Sequence, residues 1–266
     1  MIFLKLGGSL ITHKDQPETA RLDVLERLAR EIADARRAQP GLALLVGHGS
    51  GSFGHVAAAR HGTHQGGQNW VGLAEVWRAA NNLNRLVIDA LIAAGLPALS
   101  FPPSASAIAR AGALIQLAVE PIRRSLDAGL VPVVQGDVAF DEIQGTTILS
   151  TETVFEFLVP RLLPDRVLLA GIERGVYHDF PRNSLLAEVV TEADLDGLSV
   201  AGAAATDVTG GMADKVRHAL SMAAAQPGID VRIFSAEEPG SLRSALLGST
   251  PGTRVVATPI EGPLGK

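Results

Sequence analysis

The stretch His48-Gly49-Ser50-Gly51-Ser52-Phe53-Gly54-His55 follows an apolar run, 42–46, and its glycines have the spacing of a phosphate-holding loop. Gly49, Gly51 and Gly54 spell the dinucleotide pattern G-x-G-x-x-G. That pattern also needs an acidic residue about twenty positions on, at the end of the next strand. The acid available is Glu75, which lies inside a helical pattern, so the dinucleotide reading fails. Gly49 and Gly54 also frame the opening of a P-loop, but His55 and Val56 stand where lysine and a hydroxyl residue are required. Val56 cannot ligate Mg2+, and imidazole lacks a lysine's reach. What remains is a glycine loop closed by a histidine. His55 can cap the following helix or hydrogen-bond a substrate phosphate, and His48 can bond a backbone carbonyl. His55, His61 and His64 are six and three residues apart, without a nearby carboxylate, so no protein metal site is expected.

Most of the 23 basic residues are arginines, and three of the lysines stand beside glycine turns. Lys5 precedes Gly7-Gly8, Lys14 lies just beyond that turn, and Lys215 is one turn into the helical run after Thr209-Gly210-Gly211. Phosphoryl transfer requires positive charge at the leaving oxygens, at the moving group and at the acceptor. Each lysine alone reads as a surface residue; together they point to phosphoryl transfer.

These residues need a scaffold that gathers glycine turns at one edge. Short apolar runs at 2–6, 42–46, 96–101, 130–134, 166–172, 231–234 and 255–258 read as strands. Between several of them lie segments of 3.6-residue periodicity, such as Leu22, Leu25, Leu28, Ala29 and Ile32, or Leu73, Val76, Ala80, Leu83 and Val87. Such alternation predicts an α/β fold with a mostly parallel sheet and helices on both faces, whose ligands sit at the carboxyl ends of the strands. There the chain places Gly7-Gly8-Ser9, the loop 48–55, Gln135-Gly136-Asp137 and Asp207-Val208-Thr209-Gly210-Gly211-Met212. Residues 138–147, with Gly145, read as a hairpin beside that edge.

With 266 residues, 47% hydrophobic and 19% charged, the chain can bury a large core, and a single domain spanning 1–266 is expected. A net charge of −5 argues against broad electrostatic binding to nucleic acid or anionic membrane. The absence of cysteine removes disulfides and thiolate metal sites. No signal-peptide pattern or long apolar run is present, so a cytoplasmic protein is expected.

Five motifs, "KLGGSLITHK" at 5–14, "HGSGSFGH" at 48–55, "SFPPSA" at 100–105, "PVVQGD" at 132–137 and "TDVTGGMADK" at 206–215, resemble the amino acid kinase superfamily. Within it they are most similar to the isopentenyl phosphate kinases. The resemblance implies a three-layer αβα sandwich with an open, mostly parallel sheet, usually a homodimer. It implies transfer of the ATP γ-phosphoryl group, with Mg2+, to the phosphate of isopentenyl phosphate. It also implies an acceptor side over roughly 1–165 and a nucleotide side over roughly 166–266.

Carried onto these residues, Lys5, Lys14, His55 and Lys215 would be catalytic. The nucleotide would meet Lys5, Gly7, Gly8, Ser9, Asp207, Thr209, Gly210, Gly211 and Lys215. The acceptor would meet Gly49, Ser50, Gly51, Gly54, His55, Gly136, Asp137 and Glu152. The chain departs from the pattern in reading Ser150-Thr151-Glu152 where S-G-D is common, and it lacks both aspartates of T-D-x-D-G-V-Y at Ile172 and Arg174. Residues 66–77 occupy the place of the acceptor pocket; there Gln68 and Asn69 fit either a pocket or a solvent loop. Trp70, Leu73, Trp77 and Phe155 are candidate walls, each equally readable as core. A fosfomycin-like phosphonate kinase and a non-catalytic nucleotide-binding protein are the alternatives.

Overall fold

A computed structural model describes residues 1–61, 67–179, 181–195 and 211–257. Its strands in chain order are β1 (Ile2–Leu6), β2 (Leu44–His48), β3 (Ala98–Ser100), β4 (Ile108–Arg110), β5 (Ala113–Gln116), β6 (Val131–Gln135), β7 (Asp137–Asp141), β8 (Gly145–Leu149), β9 (Arg166–Gly171), β10 (Val189–Val190), β11 (Asp230–Ser235) and β12 (Thr253–Val255). The helices are α1 (Gly8–Ile11), α2 (Leu22–Ala38), α3 (Gly51–His61), α4 (Trp70–Ala93), α5 (Glu120–Asp127), α6 (Thr151–Leu162), α7 (Gly211–Ala225) and α8 (Ser241–Leu246).

Eight strands form the central sheet in the order β10-β12-β11-β9-β1-β2-β6-β3. All neighbours run parallel except β11 and β12. β1, β2 and β6 are buried along their whole length, as strands covered on both faces must be. Alternate residues feed two cores. Leu4, Leu6, Val46 and Val133 pack with apolar residues of α2, α3 and α4, whereas Phe3, Leu45, Val134 and Leu169 pack with those of α6 and α7. This is the expected αβα sandwich, with strand ends shifted by a few residues.

The hairpin beside the edge is β7–β8, and it belongs to a second sheet, β5-β4-β7-β8, half of which the sequence reading missed. β4 and β5 are too short and alanine-rich to register as strands. They are joined by a tight turn in which Ala111 and Gly112 both have positive φ. Asp141 secures both turns of this sheet, accepting from the N–H groups of Ala111 (3.0 Å), Gly112 (2.7 Å), Ile143 (2.8 Å) and Gln144 (2.8 Å). Desolvation alone would raise its pKa, but these four donors hold it down to about 2. Among the described residues, no helix is long and apolar enough to cross a membrane.

Candidate active site

β1 and β2 lie side by side, so the glycine turns at their carboxyl ends meet. A Cβ on Gly8 would stand 2.6 Å from the Gly51 nitrogen, and one on Gly49 would stand 2.9 Å from the Gly8 nitrogen. Side chains at these positions would force the loops apart. Thr12 then stitches them together: its Oγ1 donates to the Gly8 carbonyl (2.8 Å) and accepts from the Ser52 N–H (3.1 Å). Gly7 N–H donates to Ala170 on β9 (2.8 Å), and Gly49 N–H donates to Leu6 (3.0 Å). Two loops expected to hold two different phosphates therefore form one rigid backbone surface. Gly54 N–H lies inside the first turn of α3 and donates to the Ser50 carbonyl (3.2 Å). Thr12, inside the motif at 5–14 but given no role there, is the side chain that holds the two turns together. His55 lies half-buried in the first part of α3.

On the opposite face of the sheet, Lys5 is buried and forms an ion pair with the buried Glu152 at the start of α6. Three consecutive residues produce this. Ser150 caps α6, accepting from Thr153 N–H at 3.0 Å; Thr151 Oγ1 donates to the His48 carbonyl at 2.6 Å; Glu152 then points at Lys5. The helix can come this close because Gly47, the neighbour of Lys5 on β2, has no side chain. A Cβ there would lie 2.6 Å from Thr151 Cγ2 and 2.7 Å from the Phe155 ring. Burial would raise the Glu152 pKa, yet Lys5, by charge and hydrogen bond, and Lys215 hold it below the usual carboxylate range. Lys215 reaches in from α7, with its Nζ 4.0 Å from where a Gly171 Cβ would be. Lys5, Glu152 and Lys215 thus form one charged cluster at the ends of β1 and β9. Glu152, which the resemblance sets against the acceptor, is the ion-pair partner of Lys5 in this structure.

His48 is the neutral counterpart. Wholly buried, its Nδ1 lies 3.1 Å from the Gly49 carbonyl oxygen and its Nε2 lies 3.0 Å from Asn84 Oδ1, and the neutral ring donates to one of these two acceptors. Asn84 in turn donates to Ser100 Oγ (2.7 Å), which links β2, α4 and β3. Desolvation lowers the His48 pKa below the ordinary histidine value and outweighs its hydrogen bonds, with Lys5 adding to the lowering. The Asp137 carboxylate is buried and accepts from Ser104 N–H (3.1 Å), Ser104 Oγ (2.7 Å) and Val138 N–H (2.9 Å). It braces the turn 103–105, and desolvation raises its pKa. Gly136 N–H braces the His48 carbonyl (3.1 Å).

Of the candidate walls, Phe155 is core: it is fully buried, 5.1 Å from the Phe3 ring. Leu73 packs on the core from a half-buried position. Trp70 is 50% exposed and stands 6.2 Å from the Phe140 ring, itself 54% exposed, while Trp77 lies two turns along α4. Asn69 caps α4, its side chain accepting from Gly72 N–H (2.9 Å). Gly67 is sewn to the β7–β8 turn through Gln144 (2.8 Å) and Thr146 (2.9 Å).

Lys14 is exposed in the turn after α1, and Ser9 lies in α1. Asp207, Thr209, Gly210, His64 and the side chain of His61 lie outside the described residues; Gly211 begins α7. Among the described residues, no three His, Asp or Glu side chains gather as metal ligands.

The model of the amino acid kinase family matches residues 1–235. The chain is 38% identical, over 96% of its length and 98% of the relative, to isopentenyl phosphate kinase of Methanothermobacter thermautotrophicus. Identity to that of Haloferax volcanii is 34%, over 95% of this chain and 97% of the relative. A solved isopentenyl phosphate kinase superposes with a TM-score of 0.83 at 35% identity, covering 96% of this chain and 99% of the other. The matched residues 1–235 take in the paired loops, the Lys5–Glu152 cluster and α7, and the chain belongs to the amino acid kinase family.

Proposed function

We propose that the protein transfers the γ-phosphoryl group of ATP to the phosphate of isopentenyl phosphate, giving isopentenyl diphosphate and ADP. The observation that carries this reading is the backbone contact between the turns at Gly7-Gly8 and Gly49-Gly51. It sets two anion-holding loops side by side, as two phosphates that exchange a phosphoryl group require. The kinship with isopentenyl phosphate kinases over nearly the whole chain supplies the acceptor.

In this proposal Lys5, Lys215, Gly7, Gly8, Ser9 and Gly211 serve the ATP phosphates, together with Asp207, Thr209 and Gly210. Gly49, Ser50, Gly51 and His55 hold the acceptor phosphate, and Lys14 serves the moving group. His55 orients and donates without exchanging its proton. Mg2+ would be held by ATP oxygens and water, because Glu152 is already committed to Lys5. The isopentenyl tail offers no hydrogen bonds, so burial recognises it at about 0.8 kcal/mol per CH2. Trp70 and Phe140 are the apolar surfaces available beside the hairpin. We place the protein in the cytoplasm, as a homodimer of single-domain subunits.

ADP release measured with Mg-ATP and a panel of isopentenyl phosphate, dimethylallyl phosphate, fosfomycin and acetylglutamate tests the reading. The expected order puts isopentenyl phosphate first and dimethylallyl phosphate next, because apolar pockets separate similar alkyl groups only about 10- to 200-fold. Preference for fosfomycin, or silence across the panel with ATP still bound, overturns it.

A further inference from the structure

We propose that His218 is a positioning residue for Lys215, acting through its hydrogen bond to Glu156; the inference rests on the kinase reading above. Glu152 and Glu156 are four residues apart on α6, and Lys215 and His218 are three apart on α7, so each pair shares one helix face. α6 and α7 pack against one another. The two faces form a ladder. At its upper rung Lys215 acts on Glu152, and at its lower rung His218 Nδ1 lies 3.0 Å from Glu156 Oε1, with side chains 30% and 24% exposed.

The remaining contacts of α7 are largely apolar: Val216, Ala219 and Leu220 join Val231, Ile233 and Val255 in one core. Apolar contact is non-directional and fixes the register of a helix less sharply than a directed bond does. A hydrogen-bonded pair one turn below Lys215 fixes that freedom and so fixes where the ammonium stands over Gly171.

The charged groups around His218 are Glu156 and Glu152 on α6, Lys5 on β1, and Asp214, Lys215 and Arg217 on its own helix; β11 and β12 present Val231, Ile233 and Val255. Desolvation lowers the His218 pKa, but Glu156, by hydrogen bond and charge, and then Glu152 raise it above the ordinary histidine value overall. The folded-state value is raised, so the charged tie is at full strength below the ordinary histidine range. It weakens as pH rises through the raised value.

The test is the ATP dissociation constant by titration calorimetry on the full chain from about pH 6 to about pH 9, with steady-state kinetics alongside. His218→Ala should weaken ATP about tenfold, the scale of one hydrogen bond to a charged group. The KM for isopentenyl phosphate should stay at its wild-type value, and the melting temperature should fall by only a few degrees, the share of one lost pair. His218→Gln should restore much of the affinity and flatten its pH dependence. Glu156→Ala should match His218→Ala, and the double variant should lose no more than either. Wild-type ATP affinity in His218→Ala, additive losses, or a parallel fall in melting temperature and in both substrate affinities would overturn the proposal. If the unaltered protein bound ATP yet phosphorylated nothing, the kinase reading would fail, while the calorimetry would still decide the role of His218.

Discussion

Lys5 and His48 stand at the ends of adjacent strands, both buried, both polar, on opposite faces of the sheet. Lys5 pairs with the buried Glu152, whose pKa is held down by Lys5 and then by Lys215. His48 has its pKa lowered by burial, and its ring nitrogens lie beside the Gly49 carbonyl and Asn84 Oδ1, linking β2 to its own loop and to α4. A buried ion pair contributes little net stability over apolar packing, so its presence at a loop edge marks a place where charge has work to do on a ligand. A buried neutral network marks scaffolding. The charged face is where polyphosphate chemistry is proposed, and the neutral face holds the loop that this chemistry uses.

Breaking the charged face should have the largest effect. Lys5→Ala strands Glu152 in the interior; activity should fall by more than about three powers of ten. Unfolding in urea should show a loss of about 3 kcal/mol, less whatever Lys215 compensates. His55→Ala should lower kcat by about two to three powers of ten while ATP affinity in calorimetry holds. If that variant keeps full turnover, His55 is only a helix residue. Gly47→Ala alters neither face chemically but lifts α6 from the sheet and Glu152 from Lys5. It should cost about 1–3 kcal/mol in denaturant and lower kcat as well.

The neutral face can be separated by pH. A folded-state pKa below the unfolded value means that the unfolded chain binds the extra proton first. The His48 contribution should therefore fade as pH drops below about 6.5, and His48→Gln should flatten that part of the stability profile. Asn69→Ala, remote from both faces, should cost only about 1 kcal/mol of thermal stability through a lost helix cap.

What the sequence disclosed was whatever is local. The runs at 2–6 and 166–172, the periodic helices and the glycine spacings each carry their own signal, so the sandwich and the loop edge were legible. The partnerships that build the site are not local. Lys5 and Glu152 are 147 positions apart, and the need for glycine at 47 arises from Thr151 and Phe155, met only when α6 docks. Phe155 reads as pocket or core with equal ease until its neighbour Phe3 is known. Asp137 carries a motif position, yet its carboxylate belongs to Ser104. The His218–Glu156 tie had a faint signal in the helical spacing of 215 with 218 and 152 with 156, visible only once the two helices are known to touch.

The central claim is a single direct transfer between phosphates held on two touching loops. Its most direct test is the stereochemistry of transfer from ATP made chiral at the γ position with sulfur and oxygen isotopes, using isopentenyl phosphate as acceptor. One in-line displacement inverts the configuration at phosphorus, and inversion is the predicted result. Retention would mean two displacements through a phosphorylated side chain, with His55 the first suspect, and would contradict the account.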